Sequence, residues 1–226
     1  MIELRPSIEL GRRQLAELFT EAYEGYYVPF RVDEVRLAHM VDSFDLDLRR
    51  SAVAFDGDRP VGLANLGLRC ERAWLGGVGV VASHRRRGIG ELLTRALLDQ
   101  ARAAGARELM LEVIVENAPA IALYEKLGFQ TTRVVEVLTL DAAEVTDAQP
   151  IEAAEARRRI AATRTDPEPW QRDDATVDNL PDVEALAVDG AVALFRMEGE
   201  GVSLLQASGA GRRSSPLFVR AVPCSR

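Results

Sequence analysis

Chemistry concentrates in two short stretches of the chain. The first is Val78-Gly-Val-Val-Ala-Ser-His-Arg85-Arg-Arg-Gly88-Ile-Gly90, where a strand-like apolar run meets three arginines and two closely spaced glycines before a long helical pattern begins. The first-turn amides of a helix have no intrahelical acceptors and converge at the positive end of the helix dipole, so a strand–loop–helix junction of this kind suits an anion. Glycine removes the Cβ that would hold a phosphate oxygen off the backbone, and Arg85, Arg86 and Arg87 add positive charge. Two commoner phosphate loops are excluded. The Walker loop needs Lys-Ser/Thr after its last glycine, where this chain has Glu91, and the dinucleotide fingerprint needs a third glycine where Leu93 stands. The second stretch is Asn117-Ala-Pro-Ala-Ile-Ala-Leu-Tyr124-Glu-Lys-Leu-Gly-Phe129. It sets an amide and a phenol two helical turns apart, about 10 Å, on one helix face. Either stretch alone also reads as a plain turn, cap or half-buried aromatic.

The elements that must position these residues follow from hydrophobic spacing. Residues 1–4 read as a strand stopped by Pro6, and 9–24 as a helix carrying Leu10, Leu15, Leu18, Phe19 and Ala22. Asp33 can cap a second helix with Val35, Leu37, Met40 and Val41. Residues 51–55, 60–68 and 73–81 alternate as three strands joined by tight turns. Residues 89–104 form an amphipathic helix with Ile89, Leu92, Leu93, Ala96, Leu97 and Ala101 inward, ended by Gly105. A strand at 107–115, a helix capped by Asn117 and ended by Gly128, and a strand at 133–140 complete a β-αα-βββ-α-β-α-β order. The fold class is therefore α/β, a mixed parallel and antiparallel sheet with helices on both faces.

The two stretches, in this order and on these elements, resemble the GCN5-related N-acetyltransferase (GNAT) superfamily over roughly residues 1–140. Arg85-x-x-Gly88-x-Gly90 is similar to its acetyl-CoA pyrophosphate loop, and Asn117 through Tyr124 to Phe129 to its second signature. The resemblance implies transfer of acetyl from acetyl-CoA to a primary amine, of a small molecule or a protein N-terminus, in a ternary complex. It implies pantetheine along Val78, Gly79 and Val80, pyrophosphate on the amides of residues 85–90 including Ile89, Asn117 on the pantetheine side, and Tyr124 protonating the leaving thiolate. The alternative is a non-catalytic acyl-CoA sensor with the same fold. A protonated α-amine costs roughly 1 kcal/mol to deprotonate at pH 7 and a lysine roughly 4.6, so a base is useful. Leu-Met-Leu-Glu112-Val resembles the branch that acetylates ribosomal-protein N-terminal alanines, which implies Glu112 as base; Glu116, on the same strand face, and Glu71 follow in that order. Ala82 stands where family members often carry Pro, and Glu91 would repel phosphate unless it points away. On the acceptor side, Tyr23, Tyr26, Tyr27 and Phe30 with nearby acids suit a cationic amine or simply pack helix to sheet.

The domain boundary is expected near residue 142. Residues 143–182 read as a short helix at 151–163 and a Pro-rich linker, and 183–207 as a second β-meander in which Ala185-Leu-Ala-Val-Asp-Gly190 echoes Ala52-Val-Ala-Phe-Asp-Gly57. It reads as an incomplete second GNAT-like repeat that extends the sheet, covers the acceptor site or forms a homodimer contact. The basic segment 208–226 is expected to be loosely ordered.

The 226 residues carry 28 Lys+Arg against 35 Asp+Glu, a net charge of -7, which disfavours a nucleic-acid partner. Cys70 and Cys224 form no CxxC, and His39 and His84 are the only histidines, so no metal is expected. With neither an apolar leader nor a membrane-length apolar run, the expected location is the cytoplasm.

Overall fold

Alternating apolar runs and helical stripes sort the first half of the chain into strands and helices in the expected order. The computed structural model, which describes residues 1–135, 148–198, 201–208 and 218–223, places them as β1 (Ile2–Pro6), α1 (Arg12–Ala22), α2 (Glu34–Ser43), β2 (Ala52–Asp56), β3 (Arg59–Arg69), β4 (Arg72–Val80), α3 (Ile89–Ala103), β5 (Glu108–Val113), α4 (Ala118–Lys126) and β6 (Gln130–Val134). The two expected caps are present. Asp33 Oδ1 accepts from Arg36 N at 2.7 Å, and Asn117 Oδ1 accepts from Ala120 N at 3.3 Å. Of the strand expected at 133–140, residues 136–140 lie outside the described residues, and the strand that is described starts three residues earlier.

The chain divides into two compact units, Met1–Val135 with Pro216–Arg226, and Glu136–Ser215. The first holds a seven-stranded sheet in the order β1-β2-β3-β4-β5-β11-β6, where β11 is Phe218–Pro223. Only β4 and β5 pair in parallel; the other neighbours are antiparallel. α1 packs on one face through Leu15, Leu18, Phe19 and Ala22, and α3 on the other through Ile89, Leu93 and Leu97. Leu92, expected inward, is 40% exposed, and Leu98 is buried instead.

Within the segment 208–226, expected to be loosely ordered, residues 218–223 form β11, and residues 209–217 and 224–226 lie outside the described residues. β11 runs from Phe218↔Val113 to Pro223↔Glu108 against β5 and also pairs with β6. β5 and β6 each need a partner for one row of backbone groups, and an antiparallel strand between them supplies both rows. Composition does not carry that long-range demand.

The second unit contains β7 (Gln149–Pro150), α5 (Ala153–Thr163), α6 (Asp174–Asn179), β8 (Glu184–Val188), β9 (Ala191–Glu198) and β10 (Gly201–Ser208). β7 and α6 were not anticipated. Its sheet, β10-β9-β8-β7, is antiparallel throughout, and its core gathers Ala156, Ile160, Val177, Ala185, Val192, Leu194 and Leu205. This strand–helix–helix–strand–strand–strand succession, paired in chain order, repeats the topology of β1-α1-α2-β2-β3-β4.

Candidate functional site

β4 creates the site by leaving its neighbour. It pairs with β5 only through Arg72↔Glu108, Ala73↔Leu109 and Trp74↔Met110. On its other side, Leu75 faces Leu66 and Val78 faces Ala64, so Gly76 and Gly77 together oppose the single residue Asn65. This β-bulge bends the strand and adds twist, and β4 parts from β5 where it occurs. From there to Val80 the edge of β4 that turned toward β5 is open to a ligand.

Gly77 and Gly79 turn the same face toward α1. A Cβ on Gly79 would stand 2.9 Å from both Ala22 Cβ and Tyr23 Cε2, and one on Gly77 would stand 2.7 Å from the Tyr23 hydroxyl. The Tyr23 ring therefore lies along the strand in the space the missing side chains leave, with its hydroxyl at the bulge.

β4 leads through a short turn into α3. Gly88 caps that helix in the left-handed conformation, φ 78°, and nothing lies within 4 Å of where its Cβ would sit. No side chain caps the first turn of α3. A cavity of about 650 Å³ joins the strand edge to this turn. Val78, Gly79, Val80, Arg85, Arg86, Gly88, Ile89, Gly90, Asn117 and Tyr124 line it, with Ala22, Tyr23, Tyr26, His84, Glu91 and Leu123. Arg87 does not line it. The Arg85 guanidinium serves the fold: it donates to the carbonyls of Val80 (2.9 Å), Ala22 (3.1 Å) and Glu24 (2.7 Å), tying the end of α1 to the loop. Arg86 lines the cavity with its backbone at φ 62°. Glu91 faces the cavity, but Lys126 (2.6 Å) and Arg95 (2.8 Å) neutralise it and hold its carboxyl below the usual carboxylate range.

Tyr124 is buried on α4, its ring 5.5 Å from Phe129. Burial pushes its phenol, and that of Tyr23, well above the ordinary tyrosine value. Each therefore keeps its proton at neutral pH, as a donor must. Asn117 caps α4 and lines the cavity together with Tyr26, and the Tyr27 hydroxyl donates to Glu116 O at 2.9 Å. Phe19, Tyr23, Tyr26, Tyr27 and Phe30 form one continuous cluster with ring centroids 5.1 to 5.4 Å apart. A second cavity of about 730 Å³ lies beyond Tyr23 and Tyr26, with Glu17, Glu21, Glu24 and Phe30 in its wall.

The expected carboxylates separate clearly. Glu71 lies in the turn at the far end of β4 and is paired to Arg107 at 2.7 Å. Glu116 is exposed and lies past the end of β5 at Val113, so it shares no strand face with Glu112. Glu112 is half-buried on β5, two residues beyond the last β4 pair, outside the wall of the cavity. Among the described residues no group of three or more His, Cys, Asp or Glu could hold a metal ion, and no helix is long and apolar enough to cross a membrane.

The model of the acetyltransferase (GNAT) family matches residues 12–129, more than half of the chain. The chain belongs to this GNAT family. A mycothiol acetyltransferase from Corynebacterium glutamicum is 50% identical over 52 residues, 23% of this chain and 18% of that protein. A ribosomal protein bS18-alanine N-acetyltransferase from Salmonella typhimurium is 40% identical over 72 residues, 32% of this chain and 49% of that protein. The chain thus spans less than half the length of either relative. A crystal structure from Pyrococcus horikoshii superposes with a TM-score of 0.61 at 14% identity, covering 99% of this chain and 89% of that one, and shows the shared fold. Sequence reasoning singled out neither His84, in the cavity wall, nor Trp74, which donates to Glu112, and it placed Tyr23 on the acceptor side without its seat along β4. Trp74 and Glu112 depend on cross-strand register, while the alternating Gly77 and Gly79 were a readable sign that a large side chain lies on β4.

Proposed function

We propose that this GNAT protein is an acetyl-CoA-dependent N-acetyltransferase acting on a primary amine, of a small molecule or a protein N-terminus. The observation that supports it is the continuity of one cavity from an open strand edge, across an amide-rich helix start, to a buried and protonated phenol. Those residues fit acetyl-CoA: the free edge of β4 at Val78–Val80 for the amides of pantetheine, the turn at Arg86–Gly90 for the pyrophosphate, and Tyr124 for the sulfur. When bound, acetyl-CoA supplies the acetyl group as an activated thioester. Glu112 accepts the proton that the amine sheds as its nitrogen bonds to the acetyl carbon. Tyr124 gives its phenolic proton to the sulfur as the carbon–sulfur bond breaks. Burial makes Tyr124 a weaker acid than an ordinary phenol near pKa 10, so it donates to a thiolate whose acid lies near 8.5 only when it is held beside the forming charge, and its place in the cavity wall supports that role.

The mycothiol and bS18-alanine enzymes among the relatives favour small-molecule and N-terminal amines respectively as the first acceptors to try. The test is free-thiol release from acetyl-CoA with a panel containing an alanine-initiated peptide and small amines. Tyr124→Phe should lower kcat by roughly a hundredfold or more while leaving the KM for acetyl-CoA unchanged. Tight binding of acetyl-CoA with no thiol release across the panel would support the sensor reading instead. We further propose that the second unit is a partial repeat of the first, on the strength of its matching strand and helix succession.

A further inference from the structure

Trp74 ends the part of β4 that pairs with β5, and Met110 is its partner there. Side chains alternate along a strand, so Glu112, two residues on from Met110, shares the face that carries Trp74. The indole Nε1–H donates to Glu112 Oε2 at 2.6 Å. That is at the short end for a charge-assisted hydrogen bond.

The donor is held in place from two sides. Trp74 is only 3% exposed. The Phe44 ring, at the C-cap of α2, meets the indole edge-on with centroids 5.5 Å apart. At the bulge, a Cβ on Gly76 would stand 2.5 Å from the indole ring, so the absence of that side chain makes the indole's seat. A buried indole N–H needs an acceptor, and any backbone carbonyl would serve stability alone. Here the acceptor is a half-buried carboxylate where β4 and β5 part. Indole nitrogen is a donor only, so Trp74 cannot itself take a proton. What it can do is fix the carboxylate's rotamer.

We propose that Trp74 is a positioning residue for Glu112, holding its carboxylate at the β4–β5 opening to receive the proton of the attacking amine. This rests on Glu112 acting as the base in the reading above. Trp74 does not line the cofactor cavity, so its effect falls on kcat and not on acetyl-CoA binding.

Two measurements test it together. The chain has two tryptophans and so gives two indole N–H peaks in a ¹⁵N–¹H spectrum; the one missing in Trp74→Phe is that of Trp74. Glu112→Gln, which weakens the acceptor, should move this peak upfield, and an unmoved peak overturns the proposal. In thiol release from acetyl-CoA with an alanine-initiated peptide, Trp74→Phe should lower kcat roughly tenfold or more, with the KM for acetyl-CoA and calorimetric acetyl-CoA affinity at native values. Added to Glu112→Gln, it should cost nothing further. An equal loss in both backgrounds means that Trp74 supports the fold generally, and the proposal falls. Native kcat in Glu112→Gln with the indole peak still displaced overturns the base assignment and leaves the hydrogen bond, so the two failures are told apart.

Discussion

Gly88 separates folding from ligand binding at a single position. Its φ of 78° puts it in the left-handed region, where any Cβ costs about 1–2 kcal/mol. No atom lies within 4 Å of that Cβ position, so Gly88→Ala and Gly88→Trp carry the same backbone strain and neither meets a neighbour at its Cβ. Both should therefore lose a similar 2–8 °C in Tm, at about 2–4 °C per kcal/mol for a chain of this size. Binding should separate them. The strain is common to the free and bound states and cancels from the affinity. What remains is the side chain's intrusion on the helix-start amides, each worth about 1.5–3 kcal/mol to a charged oxygen. Methyl takes little of that space and indole takes most of it. Calorimetric titration with acetyl-CoA should give an affinity falling stepwise, modestly for Ala and by more than a hundredfold for Trp. Native affinity in Gly88→Trp would show that the α3 turn does not hold the pyrophosphate, and the reading of the cavity would fail with it.

Arg85→Met removes three hydrogen bonds between the loop and the end of α1, and should cost about 1–3 kcal/mol in urea unfolding. An unchanged midpoint would mean the guanidinium is not tying α1 down. Tyr23 and Tyr124 have phenols raised above the unfolded value near 10, so their stabilisation is complete below that pH and drains away above it, by about 1.4 kcal/mol per pH unit for each. Absorbance at alkaline pH should show these two ionising only as the chain unfolds; an early, reversible titration of all four tyrosines would contradict their burial. Truncation after residue 215 removes β11 and strips β5 and β6 of a partner each, and should leave an unstable protein prone to aggregate through the open edges. A truncated chain with native Tm would place no structural weight on β11.

What the sequence made legible was whatever depends on neighbours in the chain. Asn117 and Tyr124 share a helix face by spacing, and the 78–90 stretch announces a strand, turn and helix start through its own residue types. Arg85 shows where such reasoning stops. An arginine in an anion-binding loop looks like a ligand for the anion, yet its side chain goes to carbonyls at the end of α1, some sixty residues earlier in sequence. Glu116 was drawn onto the face of Glu112 by period-two counting, which failed because the strand stops at Val113. β11 escaped notice because the need it meets, unpaired edges on β5 and β6, belongs to the assembled sheet and not to residues 218–223.

The bulge at Gly76–Gly77 accounts for both sides of the proposed reaction. Inserting one extra residue against Asn65 bends β4 away from β5 and frees the strand edge that would face pantetheine. The same two glycines, with Gly79, empty the faces on which aromatic rings settle. Gly76 seats the Trp74 indole, and Gly77 with Gly79 seats Tyr23. The indole then reaches Glu112, where the amine's proton would go, while Tyr23 and Tyr124 meet at the cavity where the thioester would lie. A side chain at any of the three positions would displace a ring and close part of the opening, so the strand is glycine-rich where it must be both bent and bare. The opening and the rings around it thus have one cause, a local irregularity in β4.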